Sequence, residues 1–389
     1  MSPHWPDSRR AARFEIKTLT EAPTKSRHRS IEQIGEDTLD WSSKNVLVTG
    51  GCSFIGSHLV EGLVRCGARV RVADDLSSGI RENIDQVMKT GKVEFDEVDL
   101  LDPRTAAKAV ADMQVVFHLA ATHGGRGYIS THQAACSTNL ALDSIMTREA
   151  YRAGVEHFTF ASSGCVYPTS LQSDPSEILY LTEDLVKPPY EADDLYGWAK
   201  LMAELALRAY HEEYGMKCAS VRYFTAYGPR CPTNHAVVAM IARAFLRQDP
   251  FVVWGTGEQI RNWTYVSDIV EGTIRAAERI EDGTAVNLGT MERTSVIQCA
   301  QMILERTGLK AGIERDLSKP TGPYNRVCDN SLAKKLLGWE PEVPFSEGLD
   351  RTIRWYFDYH DRDDVASDFE QSLTGRGFEK TSKKAASAA

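Results

Sequence analysis

The feature that most constrains this chain is a glycine-rich turn between a short apolar strand and a helix. Asn45-Val-Leu-Val-Thr49 is an apolar run of strand length. Beyond the turn, Leu59, Leu63 and Val64 recur at helical spacing. The segment Thr49-Gly50-Gly51-Cys52-Ser53-Phe54-Ile55-Gly56 has the spacing of a dinucleotide fingerprint, with Ser53 at its middle position. Gly50 allows the tight turn and Gly56 lets the helix pack closely on the strand. The N–H groups that open the helix, around Ser53, Phe54 and Ile55, then face a pyrophosphate. The Cβ of Ser53 narrows the approach to the phosphates, and its hydroxyl can donate to them. A glycine-rich turn alone would equally suit a plain strand-to-helix connection.

A second run, Ala68–Ala73, leads to Asp74 a little over 20 residues after Gly50, where a carboxylate accepts from ribose hydroxyls and repels a 2′-phosphate. That favours NAD. Asp99 and Leu100, after a third run, are expected at the adenine edge. Further strands are predicted at 115–119, 157–161 and 218–222, with helical patterns between them. Such alternation predicts an α/β fold, a doubly wound parallel Rossmann sheet with a smaller C-terminal substrate-binding lobe. The expected divisions are 1–43, a polar N-terminal extension; 44–229, the NAD-binding part; 230–360, mainly the substrate-binding lobe; and 361–389, a tail disordered at its end. No apolar run approaches the ~20 residues needed to cross a bilayer. No apolar segment follows the basic residues near the N-terminus, so neither a secretory signal nor a membrane partner is expected. The net charge of −9 argues against nucleic acid as a partner. Eight cysteines without CxxC or Cys/His spacing give no metal site and read as free thiols in a reducing cytoplasm.

Tyr196 and Lys200 lie four residues apart at the start of a helical pattern, hence on one face. Upstream, the fifth strand runs into Ser162-Ser163-Gly164-Cys165. A hydroxyl leaving the sheet at its carboxyl edge can meet that phenol. Lys200 and a cationic nicotinamide are expected to lower the Tyr196 pKa. The phenol could then take a hydroxyl proton while Ser163 holds the same oxygen.

With these pieces in order, the chain resembles the extended short-chain dehydrogenase/reductase family over roughly residues 44–356, in particular its NAD-dependent sugar-nucleotide epimerases and dehydratases. His118-Leu119-Ala120-Ala121, Asn139, Arg222-Tyr-Phe with Tyr227-Gly-Pro229, Arg261–Asp268, Val286–Gly289 and Leu336–Trp339 complete the match. The resemblance implies tightly held NAD, with Leu119, Ala120 and Ala121 beside it, an NDP-sugar substrate and a homodimer built on helices near 135–153 and 196–214. Within the family, Gly124-Gly125-Arg126-Gly127-Tyr-Ile129 and Ser162–Pro168 look like the GDP-mannose 3,5-epimerase branch. That likeness implies Cys165 as one acid/base group on the sugar ring and puts His235 where the branch has a Lys. It also implies Gly124, Gly125, Arg126, Ser163 and Thr225 at the sugar, with Arg261 and Arg326 on its pyrophosphate. Thr225 stands where the family usually has Asn. The expected activity is inversion at C3, C5 or both through a transient 4-ketone. A 4-epimerase of a UDP-hexose or UDP-uronate needs only Ser163, Tyr196 and Lys200. A 4,6-dehydratase would want an Asp-Glu pair at Gly164-Cys165. A non-catalytic NAD-binding module finds support only in Ser53.

Overall fold

The computed structural model describes residues 39–174 and 177–375; most of the expected N-terminal extension and the end of the tail lie outside them. The centre is a seven-stranded parallel sheet. Its strands include β1 (Asn45–Thr49), β2 (Arg69–Asp74), β3 (Val93–Glu97), β4 (Val115–His118), β5 (His157–Ser163) and β6 (Cys218–Tyr223). The seventh is Asp282–Leu288. It forms the edge beside β6, and β5, β4, β1, β2 and β3 follow in that order.

Alternation along each strand divides the core into two layers. Val46, Val48, Val70 and Val72 face the helices Phe54–Arg65 and Val266–Arg279 through Leu59, Leu63, Val270 and Ile274. Leu47, Ala73, Val116, Phe158 and Phe160 face the helices Pro103–Val110, Asn139–Arg152 and Asp194–Tyr214 through Ala106, Met146 and Leu207. Both faces of the sheet's centre are covered, so β1 and β4 read as apolar runs, while β2 and the edge strand β3 alternate with exposed polar residues. The strand order reverses between β1 and β4, and a cleft opens at their carboxyl ends, as this topology requires.

Three structural features bear on the expected divisions. Trp41, in the polar extension by composition, is buried, packs on Phe117, and donates from Nε1 to Glu278 at 2.7 Å. The segment after residue 361 begins as a helix, Arg362–Ser372, whose Phe369 and Leu373 are buried. The chain also returns to the main sheet from within the stretch 230–360, as the strand Asp282–Leu288. Around that return lie the helices Ala236–Phe245, Val296–Thr307 and Phe345–Tyr359, and short strands such as Phe251–Trp254 and Ile313–Asp316. No helix among the described residues is long and apolar enough to cross a membrane.

Candidate active site

The cleft wall contains Gly50, Ser53, Phe54, Ile55, Asp74, Asp99, Leu100, Leu119, Ala120 and Ala121. Gly50 has φ +69°, a conformation open to glycine. A Cβ on Gly56 would stand 2.1 Å from the Gly50 carbonyl oxygen, so strand and helix can meet here only through glycine. Ser53 is extended, and its Oγ donates to the Gly50 carbonyl at 2.5 Å. The expected donor to phosphate is thus turned back on the turn itself. Phe54 and Ile55 open the helix in the wall, with N–H groups that no earlier turn can use. Asp74 is buried and accepts from Cys52 N at 3.0 Å and Leu76 N at 2.9 Å, which fixes its carboxylate at the end of β2. Asp99 accepts from Leu101 N at 2.9 Å. This set of donors, glycines and one fixed acid fits a dinucleotide.

At the other end the wall holds Ser163, Tyr196, Lys200, Thr225 and His235. Ser162 and Ser163 point to opposite faces of β5. The Ser162 hydroxyl donates at 2.5 Å to Glu204, which also accepts twice from Arg222 at 3.0 and 2.7 Å. Ser163 and Tyr196 share this wall, and the Ser163 hydroxyl acts to lower the phenol pKa. Gly197 makes this meeting possible. A Cβ there would lie 2.2 Å from the Cys165 carbonyl oxygen, so the helix crosses the end of β5 at glycine and sets Tyr196 beside Ser163. Two residues earlier, Asp194 holds φ +59°, and Arg126 donates to its carboxylate at 2.9 Å.

Burial, then the neighbouring Cys165 and Asp143, push the Tyr196 pKa well above its ordinary value. Lys200 does not offset this. Its Nζ lies 6.0 Å from the phenol ring centre, over the Phe160 ring at 4.4 Å, and 3.8 Å from Asp143 Oδ2. Burial lowers its own pKa.

The glycine loop is closely packed. Gly124 is pressed on Tyr128, and a Cβ on Gly125 would stand 1.9 Å from the Asn234 carbonyl oxygen. Gly127 faces Leu373 and Trp254. Gly125 and Gly127 serve contacts inside the protein, while Gly124 also lines the cleft. Cys165 lies beneath the cleft wall and is buried; Arg326 Nη1 donates to its sulfur at 3.3 Å. The other arms of Arg326 donate to Gln172 at 3.0 Å and Asp193 at 2.8 Å. Arg126 shares Asp193, at 2.8 Å. Arg261 donates to the carbonyls of Ile260 and Thr321. Burial, with Arg326 and Arg126 adding their charge, pulls the Arg261 pKa down to about 9. Arg261 and Arg326, expected at a pyrophosphate, and Arg126, expected at the sugar, therefore form one cluster with protein partners, three cations against the two carboxylates of Asp193 and Asp194.

His235 stands in the wall, but burial lowers its pKa to about 4, so it is a neutral imidazole in the range where an acid/base group was expected. His123 was missed. Its ring is 5.4 Å from the Tyr196 ring and 5.5 Å from that of His235, in the same wall. The signal was its place two residues past the His118–Ala121 motif at the carboxyl edge.

A parallel sheet with a dinucleotide turn and a Ser–Tyr–Lys set at its switch point defines a nucleotide-cofactor enzyme of the Rossmann class. Residues 46–289 match the model of the NAD dependent epimerase/dehydratase family, and the chain belongs to it. Its cofactor is NAD. The chain is 31% identical to GDP-mannose 3,5-epimerase of Arabidopsis thaliana over 322 residues, 81% of this chain and 83% of that one. It is 30% identical to UDP-glucuronic acid decarboxylase 1 of the same plant over 309 residues, 79% of this chain and 68% of that one. The solved UDP-glucuronic acid 4-epimerase of Bacillus cereus, in complex with UDP-glucuronic acid and NAD, superposes with TM-score 0.73 at 27% identity, covering 81% of this chain and all of that one.

Proposed function

We propose that this protein is a nucleotide-sugar epimerase that inverts C3, C5 or both of an NDP-hexose of the GDP-mannose type through a transient 4-ketone. The observation that carries this reading is the contact of Arg326 with the Cys165 sulfur, two residues past Ser163. A thiol that exchanges protons with carbon needs a cation beside it, and a plain 4-epimerase needs no such thiol. Bound NAD supplies the hydride acceptor that makes and unmakes the ketone. Tyr196 takes the C4 hydroxyl proton and Ser163 holds that oxygen. Cys165 exchanges a proton at the carbon beside the ketone. The excess charge of Arg126, Arg261 and Arg326 suits the sugar's diphosphate. His123 and His235 line the sugar's place. Residues 230–360, apart from the strand Asp282–Leu288, mainly form the substrate lobe.

A second reading, a 4-epimerase of a UDP-hexose or UDP-uronate, is favoured by the seat of Cys165 beneath the wall and by the neutral His235. Incubation with GDP-mannose, UDP-glucose and UDP-glucuronate in deuterium oxide separates the two. Deuterium at C3 or C5 of the product supports the first reading. Product free of ring deuterium replaces it with the second, and no turnover of any sugar removes both. We also propose a homodimer working in the cytoplasm. The helices Asn139–Arg152 and Asp194–Tyr214 expose Leu140, Tyr151, Trp198 and Met202, and none of the eight cysteines is joined in a disulfide.

A further inference from the structure

Asp143 is an acid in the interior of the helix Asn139–Arg152, on the face that buries Leu142 and Met146. A carboxylate among apolar side chains is costly unless its charge is used. Every hydrogen-bonding group around its Oδ1 has a consistent assignment. Thr49 Oγ1 accepts from Leu119 N and Ala120 N, both at 3.1 Å, which leaves its single proton for His118 Nδ1 at 2.7 Å. His118 then carries its proton on Nε2 and donates it to Asp143 Oδ1 at 3.1 Å. Burial lowers the pKa of His118, in keeping with a neutral ring. Oδ2 is left facing Lys200 Nζ at 3.8 Å; neither atom has a hydrogen-bond partner, and both residues are buried. The titratable groups facing Asp143 are His118 from β4, and Lys200 and Tyr196 from the helix Asp194–Tyr214. The Phe160 ring of β5 covers the other side of the ammonium.

We propose that Asp143 is a positioning residue: it is the counter-charge that keeps Lys200 an ammonium in the active site, and His118 and Thr49 aim it. The chain from Ala120 through Thr49, His118 and Asp143 to Lys200 ties the backbone beside the cofactor cleft to an ammonium 6.0 Å from the centre of the Tyr196 ring. Without Asp143, burial would leave Lys200 a neutral amine. The proposal rests on the reading above only in taking Lys200 as part of the active site.

The test uses the full chain with its bound NAD, carrying lysine isotopically labelled at Cε and followed by NMR. Lys200→Arg identifies the Lys200 resonance by its loss. In the unaltered protein that resonance is expected to be that of an ammonium at neutral pH. In Asp143→Asn its titration midpoint should fall by about one to three pH units, and Asp143→Glu should restore much of it. Should Asp143→Asn fail to fold, Asp143→Ser is read in the same way. An unchanged midpoint in the uncharged variant overturns the proposal, as does a neutral Lys200 at neutral pH in the unaltered protein. A structural role for Asp143 would not move this titration. Failure to turn over GDP-mannose or a UDP-sugar would overturn the reading above and leave the titration interpretable. Where turnover is measurable, the pH optimum of kcat should move to more acid values in Asp143→Asn, with KM little changed.

Discussion

Thr225 lines the cleft at φ +23°, a backbone setting that a β-branched residue takes only under strain. Asn tolerates positive φ, because its short side chain can satisfy local backbone groups. Thr225→Asn is therefore expected to stabilise the protein by about 1 kcal/mol, seen as a higher midpoint in thermal unfolding; a lower midpoint would show that the methyl packs usefully. Histidines set the response to acid. His235 and His58 are both pushed to about 4, first by burial. Below the ordinary histidine pKa the unfolded chain takes up protons that the folded one refuses. Their contribution is complete above about pH 6.5 and is lost as pH falls towards about 4. Denaturant titrations should record a loss on the order of a few kcal/mol across that window, and His235→Gln should flatten it. In the mechanism proposed, Tyr196→Phe lowers turnover by about 10²–10⁴-fold and leaves sugar-nucleotide affinity within a few-fold. Ser163, Tyr196 and Lys200 were legible in the sequence because a strand end and an i,i+4 spacing bring them together. Cys165 with Arg326, Asp143 with Lys200 and His123 with Tyr196 were not. Those pairs exist only once separate elements pack, and no local spacing encodes them.

The same limit holds for elements. Six of the main strands could be read from apolar or alternating runs, because the centre of a parallel sheet is buried on both faces and its edge strand β3 on one. The strand Asp282–Leu288 is harder to read, since Asp282, Gly283 and Thr284 weaken its pattern. Two-residue strands such as Ile260–Arg261 and Asn325–Arg326 have no period to detect. Glycines in the sequence marked close approaches, but not their partners. Gly197 was a spacer inside Tyr196–Lys200 until its contact with the Cys165 carbonyl gave it a purpose. Gly197→Ala must push the helix off β5. If the phenol acts as proposed, turnover falls by about 10²-fold while circular dichroism is unchanged; normal turnover would mean that the two elements can slide apart freely. Gly56→Ala meets backbone instead, at the Gly50 carbonyl. It is expected to cost about 1–3 kcal/mol and to yield protein without bound NAD, checked by absorbance after denaturation.

For the whole molecule, the exposed apolar residues on the helices Asn139–Arg152 and Asp194–Tyr214 supply the surface for the proposed dimer. Trp198→Glu with Met202→Glu should yield monomers in sedimentation; a dimer that survives both would place the interface elsewhere. The chain does not divide cleanly after residue 229. The segment that follows leaves β6, forms the helices Ala236–Phe245 and Val266–Arg279 and returns to lie against the same strand as Asp282–Leu288. This has a bearing on birth as well as on shape. On the ribosome, β6 emerges well before its outer neighbour and offers an unpaired row of amides and carbonyls until Leu288 has been made. Domains generally fold as units, the N-terminal part first, yet here the N-terminal sheet cannot finish until most of the polypeptide has been synthesised. Nascent chains stalled between β6 and Asp282 should therefore be sticky and protease-sensitive, and bind holdase chaperones that release them once the last strand docks.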